Sequence, residues 1–178
     1  MTQAVTHFLV AAIVVNLIRD FLIRDKKSFP LHLVLIGGIA GLLPDFDVAA
    51  YWLLNYAGFT ITEVHRTFTH TLFVPLLFFL LSFIFWKTKS RKLSRAGLTW
   101  SNILLVLGIG TFIHLLLDGI VAGYIRPFYP VLNLSIGLNL MQYLPSHFQN
   151  AFLPSLDALL LMLWMIYIEV KHKISNFI

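Results

Sequence analysis

Five stretches of this chain are so apolar, and so long, that they dictate the solvent it folds in: residues 4–23, 31 to about 56, 69–86, 100 to about 124 and 155 to about 170. A helix crosses the roughly 30 Å hydrocarbon core of a bilayer with about 20 residues, so these runs read as membrane spans. Composition agrees, since 58% of the chain is hydrophobic and only 12% charged, against about 25% charged in a soluble domain. The expected architecture is all-α: a polytopic helical bundle of about five transmembrane helices, with residues 1–178 forming one integral membrane domain. The first run lacks a basic leader and an A-x-A site, and its charges follow it, so it reads as a mature helix and not a cleaved signal.

The second run carries Gly37, Gly38 and Gly41 and then Leu43-Pro44-Asp45-Phe46-Asp47. Proline lacks a backbone donor and disfavours helix at the residue before it, which predicts a second helix broken at Pro44. Non-helical backbone at membrane depth is tolerated only against protein or a wet cavity. Asp45 and Asp47 therefore imply such a cavity. Residues 125–154 carry Pro127, Pro130, Pro145 and Pro154 and read as a loop with interfacial helices.

Basic residues follow the first, third and fifth runs: Arg19, Arg24, Lys26 and Lys27, then Lys87, Lys89, Arg91, Lys92 and Arg95, then Lys171 and Lys173. The positive-inside rule gives one consistent topology, with the N-terminus outside and the C-terminus cytoplasmic, in a multi-pass inner (plasma) membrane protein. The formal charge of +5 thus reports loop retention, and no nucleic-acid partner is expected. The chain has no cysteine, which excludes disulfides and thiolate ligation and leaves nitrogen and oxygen to hold any metal.

The densest polar segment is His65-Arg66-Thr67-Phe68-Thr69-His70, and His7, Asp45, Asp47, His114 and Asp118 are the other ionisable residues set within or beside apolar runs. Asp45 is 13 residues past His32, which at about 1.5 Å per residue puts it roughly 20 Å from the cytoplasmic face. His114, 14 residues past Trp100, has a similar depth, and Asp118 stands one turn beyond it on the same helix face. His7, His65 and His70 fall at the outer ends of their spans. All candidates therefore share one outer layer. Burying carboxylates and imidazoles there costs several kcal/mol each unless they share a partner, and a divalent metal, zinc or another first-row ion, is that partner. More ligands than the four of one tetrahedral site favour one or two ions, with a bridging aspartate for two.

His65 and His70 are five apart and diverge by about 140° on a helix. They share an ion only if the stretch is not regular helix; otherwise His70 is the ligand. Plainer roles exist for each residue: Asp45 and Asp47 as helix caps, His114 with Asp118 as a structural pair, His7 as an interfacial histidine. Arg66 either pairs with Glu63 or offers its planar fork to a substrate phosphate. His32 and His172 read as structural, and His147 and Asp157 lack a motif.

The set Thr6-His7, Leu42-Leu43-Pro44-Asp45-Phe46-Asp47, His65-Arg66-x-Phe68-Thr69-His70 and His114-x3-Asp118 followed by Pro127-Phe128 resembles the YdjM-type inner-membrane family, regarded as metal-dependent hydrolases. The resemblance covers the chain to about Pro130. More distantly, the pattern is similar to the helical zinc phospholipase C and P1 nuclease superfamily. That likeness implies Asp118 as a bridge between one metal held by Asp45 or Asp47, His70 or His65, and His114, and another held by His7. No equivalent of that superfamily's further histidines is evident, which argues against a third metal. Nearer relatives commonly have Gly in the H-R-G-x-T-H-S element and Thr-Pro after the late aspartate, where this chain has Thr67, Thr71 and Ile120-Val121-Ala122-Gly123.

The expectation is a membrane-bound metal-dependent hydrolase that cleaves a phosphoric ester of a lipid or lipid-linked substrate at the outer membrane face. Its metal ligands would come from His7, Asp45, Asp47, His65, His70, His114 and Asp118. An uncoordinated carboxylate of Asp45 or Asp47 would act as base and Arg66 as charge stabiliser. The rivals are an ion- or proton-handling transporter and a non-catalytic membrane protein with a structural metal.

Overall fold

The computed structural model describes residues 4–88 and 90–174; Lys89 of the second basic loop lies outside them. Among the described residues the chain is helical, with one isolated antiparallel bridge, Ile125 to Ile136. Helix α1 is Ala4–Leu17, prolonged by a π-helical turn, Ile18–Leu22. Helix α2 is His32–Ala40, α3 is Asp47–Leu54, α4 is Ile61–Val64 and α5 is Phe73–Ile84. After the short α6, Arg91–Arg95, come α7, Trp100–Leu117, with its own π-helical turn Asp118–Ala122, and α8, Ser146–His172.

Three of these helices are long and apolar enough to cross a membrane, and a fourth crossing forms if α2 and the segment Pro44–Ala57 count as one bent span. The bend is 52°. Its cause is local: past Ala40 the backbone bonds tighten, Leu42 N–H to Ile39 O at 2.9 Å and Leu43 N–H to Ala40 O at 3.2 Å, before Pro44 opens a 3-10 turn. Helix α5 has only 12 residues, about 18 Å. It is shorter than a full crossing because residues 65–72, expected in part within the third span, form irregular backbone.

The fifth run also differs. Its helix begins at Ser146 and passes through Pro154, within the stretch expected to be a loop with interfacial helices. Proline forfeits one backbone bond there, a loss that membrane helices tolerate. The helix start is marked by Pro145 instead, whose carbonyl accepts from Phe148 N–H at 2.9 Å.

Helix α7 is the hub, packing against α5, α2 and α1, while α1 also meets α2 and α8. Ala12, Val15, Phe29, Leu33, Val34 and Val106 form the core between them. Large apolar side chains on the outer faces, such as Leu80, Phe83 and Leu163, are exposed, as lipid-facing surface requires. Contact between α2 and α7 is backbone-close: a Cβ on Gly110 would lie 2.5 Å from Ala40 Cβ and 2.5 Å from the Gly37 carbonyl. Small residues let membrane helices approach in this way. Gly110→Leu is expected to force them apart and to cost at least the ~1–3 kcal/mol of an overpacked core, read as a lower melting temperature in detergent. An unchanged melting temperature would show that the two helices are free to separate.

Candidate metal centre

The break in the second span decides where the carboxylates go. Pro44–Phe46 turns Asp45 towards α7, and Asp47 starts α3. From α7, His114 and Asp118 project on one face, with His114 Nε2 3.7 Å from Asp118 Oδ2. Residues 65–72 supply the remaining side chains from irregular backbone, helped by Arg66 at φ 62°, a conformation that non-glycine residues seldom adopt.

Three ligand atoms converge, from His70, His114 and Asp118, and Asp45 approaches the two histidines. Asp45 Oδ1 is 3.5 Å from both His70 Nε2 and His114 Nε2, those two nitrogens are 3.1 Å apart, and His70 Nε2 is 3.5 Å from Asp118 Oδ2. Ligands held at about 2.0–2.2 Å around a tetrahedral ion sit about 3.3–3.6 Å from one another. The observed spacings bracket that value. His70, His114 and Asp118 are buried, at 0–1% exposure, whereas the Asp45 side chain is 30% exposed. The array opens on the Asp45 side.

The outer nitrogens show what this array is built to face. His114 Nδ1 lies 2.7 Å from the Gly41 carbonyl, which can only accept, so Nδ1 carries the proton. Thr69 donates its hydroxyl to Asp47 Oδ2 at 2.7 Å and is left as an acceptor for His70 Nδ1 at 3.0 Å. Asp47 Oδ2 also accepts from that nitrogen, at 3.3 Å. In their neutral forms both rings thus turn bare Nε2 lone pairs towards each other across 3.1 Å, an arrangement that a proton on one ring or a metal ion between them relieves. The donor set fits a divalent metal.

Asp118 faces two ways. Its Oδ2 meets His70 and His114, while Oδ1 is 3.5 Å from His7 Nε2, and the His7 ring stacks on His114 with centroids 3.9 Å apart. His7 with Asp45 and His114 forms a second group that could hold an ion, and Asp45 with His65 and His70 a third. Asp47 stands behind this layer. Its carboxylate receives His65 Nδ1 at 2.8 Å, Thr69 Oγ1, the Arg66 backbone N–H at 3.2 Å and His70 Nδ1. Arg66 reaches Asp118 Oδ2 through Nη2 at 3.2 Å and not Glu63, which instead caps α4. There the Thr60 backbone N–H and hydroxyl, each at 2.7 Å, hold the Glu63 carboxyl below its usual range. The seven expected ligands and Arg66 are therefore contiguous.

A model of one family spans nearly the whole chain, residues 1–174. The chain belongs to the YdjM inner membrane protein family. No curated protein and no solved structure matches it. With its apolar helices, family membership makes this a multi-pass inner membrane protein. Thr67 is buried and donates to the Val64 carbonyl at 2.6 Å, and Thr71 donates to Phe68 O at 3.0 Å, so hydroxyls staple the histidine loop.

Other singled-out residues stand apart from the cluster's ligand atoms. His172 and Tyr167 bond Asp20 at 2.8 and 2.9 Å, alongside Asn16 and Arg19, and tie α8 to the far end of α1. His32 meets Ala96 O, and His147 packs on Phe148. Asp157 accepts from Thr6 beside His7 at 2.6 Å. Sequence reasoning overlooked Thr69 and the Gly41 carbonyl as partners of the histidines. The signal for Thr69 was present, since it adjoins His70 in the motif; a backbone carbonyl leaves none.

Proposed function

We propose that this YdjM-family protein is a metal-dependent hydrolase that cleaves a phosphoric ester of a lipid or lipid-linked substrate at the outer face of the membrane. One observation carries the reading: two histidines locked by outer partners present bare nitrogens to two carboxylates in an array that opens at Asp45. A structural site would be closed on every side. Zinc suits the all-nitrogen-and-oxygen donor set and the 3.1–3.7 Å spacings of His70, His114 and Asp118. His70, His114 and Asp118 would hold one ion, with a further position left open towards Asp45, and His7 with Asp118 would help to hold a second.

A metal bound there would lower the pKa of water and polarise a phosphoryl oxygen. The chain does the rest. Asp45, on the open side, is the carboxylate able to take a proton from an attacking water. Asp47, already receiving donors on both oxygens, orients His65 and His70 and is assigned no catalytic role. Arg66, held at the edge of the cluster by Asp118, faces negative charge that develops on the ester. Exposed Phe46 and Phe68, which line an apolar cavity of about 390 Å³ alongside this loop, suit a substrate with a lipid portion, and the basic loops suit an outward-facing site.

The test is turnover of a panel of phospholipids and phosphodiesters by purified protein in detergent. Cleavage that is abolished by chelator, restored by zinc and reduced at least about 1,000-fold by Asp45→Asn is the expected outcome, the order of magnitude seen when a catalytic group is removed. A fully metal-loaded protein that cleaves no member of the panel would overturn the assignment.

A further inference from the structure

Beside the cluster lies a cavity of about 570 Å³ lined by Arg66, Arg126, His65, Tyr124 and Ser135, among others. We propose that this cavity seats a second phosphate, next to the one cleaved, so that the substrate is a diphosphate ester and Arg126 its specificity-determining residue. The inference deepens the hydrolase reading and rests on it for the first phosphate.

Two guanidinium groups line one cavity. Arg66 is neutralised by Asp118 at 3.2 Å. Arg126 is exposed, and among the described residues no carboxylate lies within ion-pair distance of it. A cation left unpaired on the wall of a concave site raises the local concentration of anions, and a planar guanidinium matches the oxygens of a phosphate. The cavity has the size of a small-molecule site, which typically runs to ~300–1,000 Å³.

Its wall is fixed backbone. Ile125 and Ile136 exchange two hydrogen bonds of 2.9 Å, and Leu138 N–H bonds the Gly119 carbonyl at 2.7 Å. Antiparallel pairing of 125 with 136 sets Arg126 opposite Ser135, the relation in which side chains share one face. An arginine and a hydroxyl are thus presented together. The next residue, Pro127, accepts from Leu72 N–H at 2.9 Å, so the segment bearing Arg126 is tied to the segment bearing His70.

Arg66 and His65 belong to both the cavity and the cluster, so the two spaces adjoin. Gly123 makes room for the guanidinium at this junction: a Cβ there would lie 2.6 Å from Arg66 Nη1. Adjacent phosphates in one ligand meet adjacent sites, the first on the histidine and aspartate array, the second on Arg126 and Ser135 with Arg66 between. A monophosphate ester would leave Arg126 unused.

Metal-loaded full-length protein in phosphatidylcholine nanodiscs is titrated calorimetrically with methylenediphosphonate and with inorganic phosphate, using wild type, Arg126→Gln and Arg126→Lys. Wild type is expected to bind the diphosphonate at least tenfold more tightly than phosphate. Arg126→Gln should lower that preference at least fivefold while phosphate affinity and metal content stay within twofold, and Arg126→Lys should keep part of it. Chelation of metal by the diphosphonate contributes equally to all three proteins, so the change between variants reports on Arg126. Equal affinities in wild type, or a preference unchanged in Arg126→Gln, would overturn the proposal. A prenyl diphosphate that binds more tightly than the diphosphonate identifies a lipid-linked source, and equal binding a soluble one. The two readings fail separately. Cleavage of monophosphate esters without dependence on Arg126 removes the second-phosphate site alone; Arg126-dependent diphosphonate binding without any hydrolysis keeps the site and removes the enzyme.

Discussion

His114→Ala is expected to strip the purified protein of its divalent metal, from about one or two ions per chain to below a tenth. Side-chain Nε2 of His114 stands 3.1–3.7 Å from three other ligand atoms, and the ring is wholly buried, stacked on His7 and locked by Gly41. Loss of the imidazole removes one ligand, a nitrogen that stands within 3.7 Å of both Asp45 and the buried Asp118. Breaking a buried charged group of this kind costs about 3–5 kcal/mol, so lower stability should accompany the lost metal. His32→Ala is the control, because His32 bonds the Ala96 carbonyl, away from the cluster, and should leave metal content unchanged. Elemental analysis after purification without chelator decides the matter. Wild-type protein free of metal, or a His114→Ala variant that retains it, would remove the basis for a metal centre.

The second large effect falls on a residue that touches no proposed ion. Asp47→Asn is expected to weaken metal affinity by about 10–100-fold, the usual cost of losing a partner behind a histidine ligand. Both oxygens of Asp47 accept donors, His65 on Oδ1 and Thr69, Arg66 and His70 on Oδ2. An amide NH2 on either side would face a donor. The histidine loop should loosen accordingly, read as faster hydrogen exchange over residues 65–72 beside the competitive metal titration. Affinity within twofold of wild type would reduce Asp47 to a residue of the first turn of α3, the plain role that its position beside Pro44 also permits.

Much of the site could be read along the chain because its signals are local or set by bilayer depth. The i, i+4 spacing of His114 and Asp118 needs only helical geometry, and the meeting of Asp45, His65 and His70 at one level of the bundle needs only span lengths. Asp45 and Asp47 were beyond such reasoning. Two residues apart, they look alike in sequence, yet the 52° bend and the turn at Pro44 send one to the cluster and the other behind it. The partner of Arg66 was likewise open, because Glu63 is near in sequence while Asp118 is near only in space. Pro154 misled in the opposite direction, since a breaker read in isolation says nothing of the packing that carries a helix through it.

By itself, then, the sequence determined the solvent, the helical class, the break in the second span and the roster of polar residues that a bilayer would drive together. Each follows from composition or short-range periodicity. Tertiary structure alone decided which atoms face which: His70 against His114 across 44 residues, Thr6 against Asp157 across 151, and Arg126 across a paired backbone from Ser135. Such contacts depend on how α1, α2 and α7 seat against one another through Gly37, Ala40 and Gly110. No local pattern encodes that seating, because it is set by the complementarity of surfaces that are far apart in the chain.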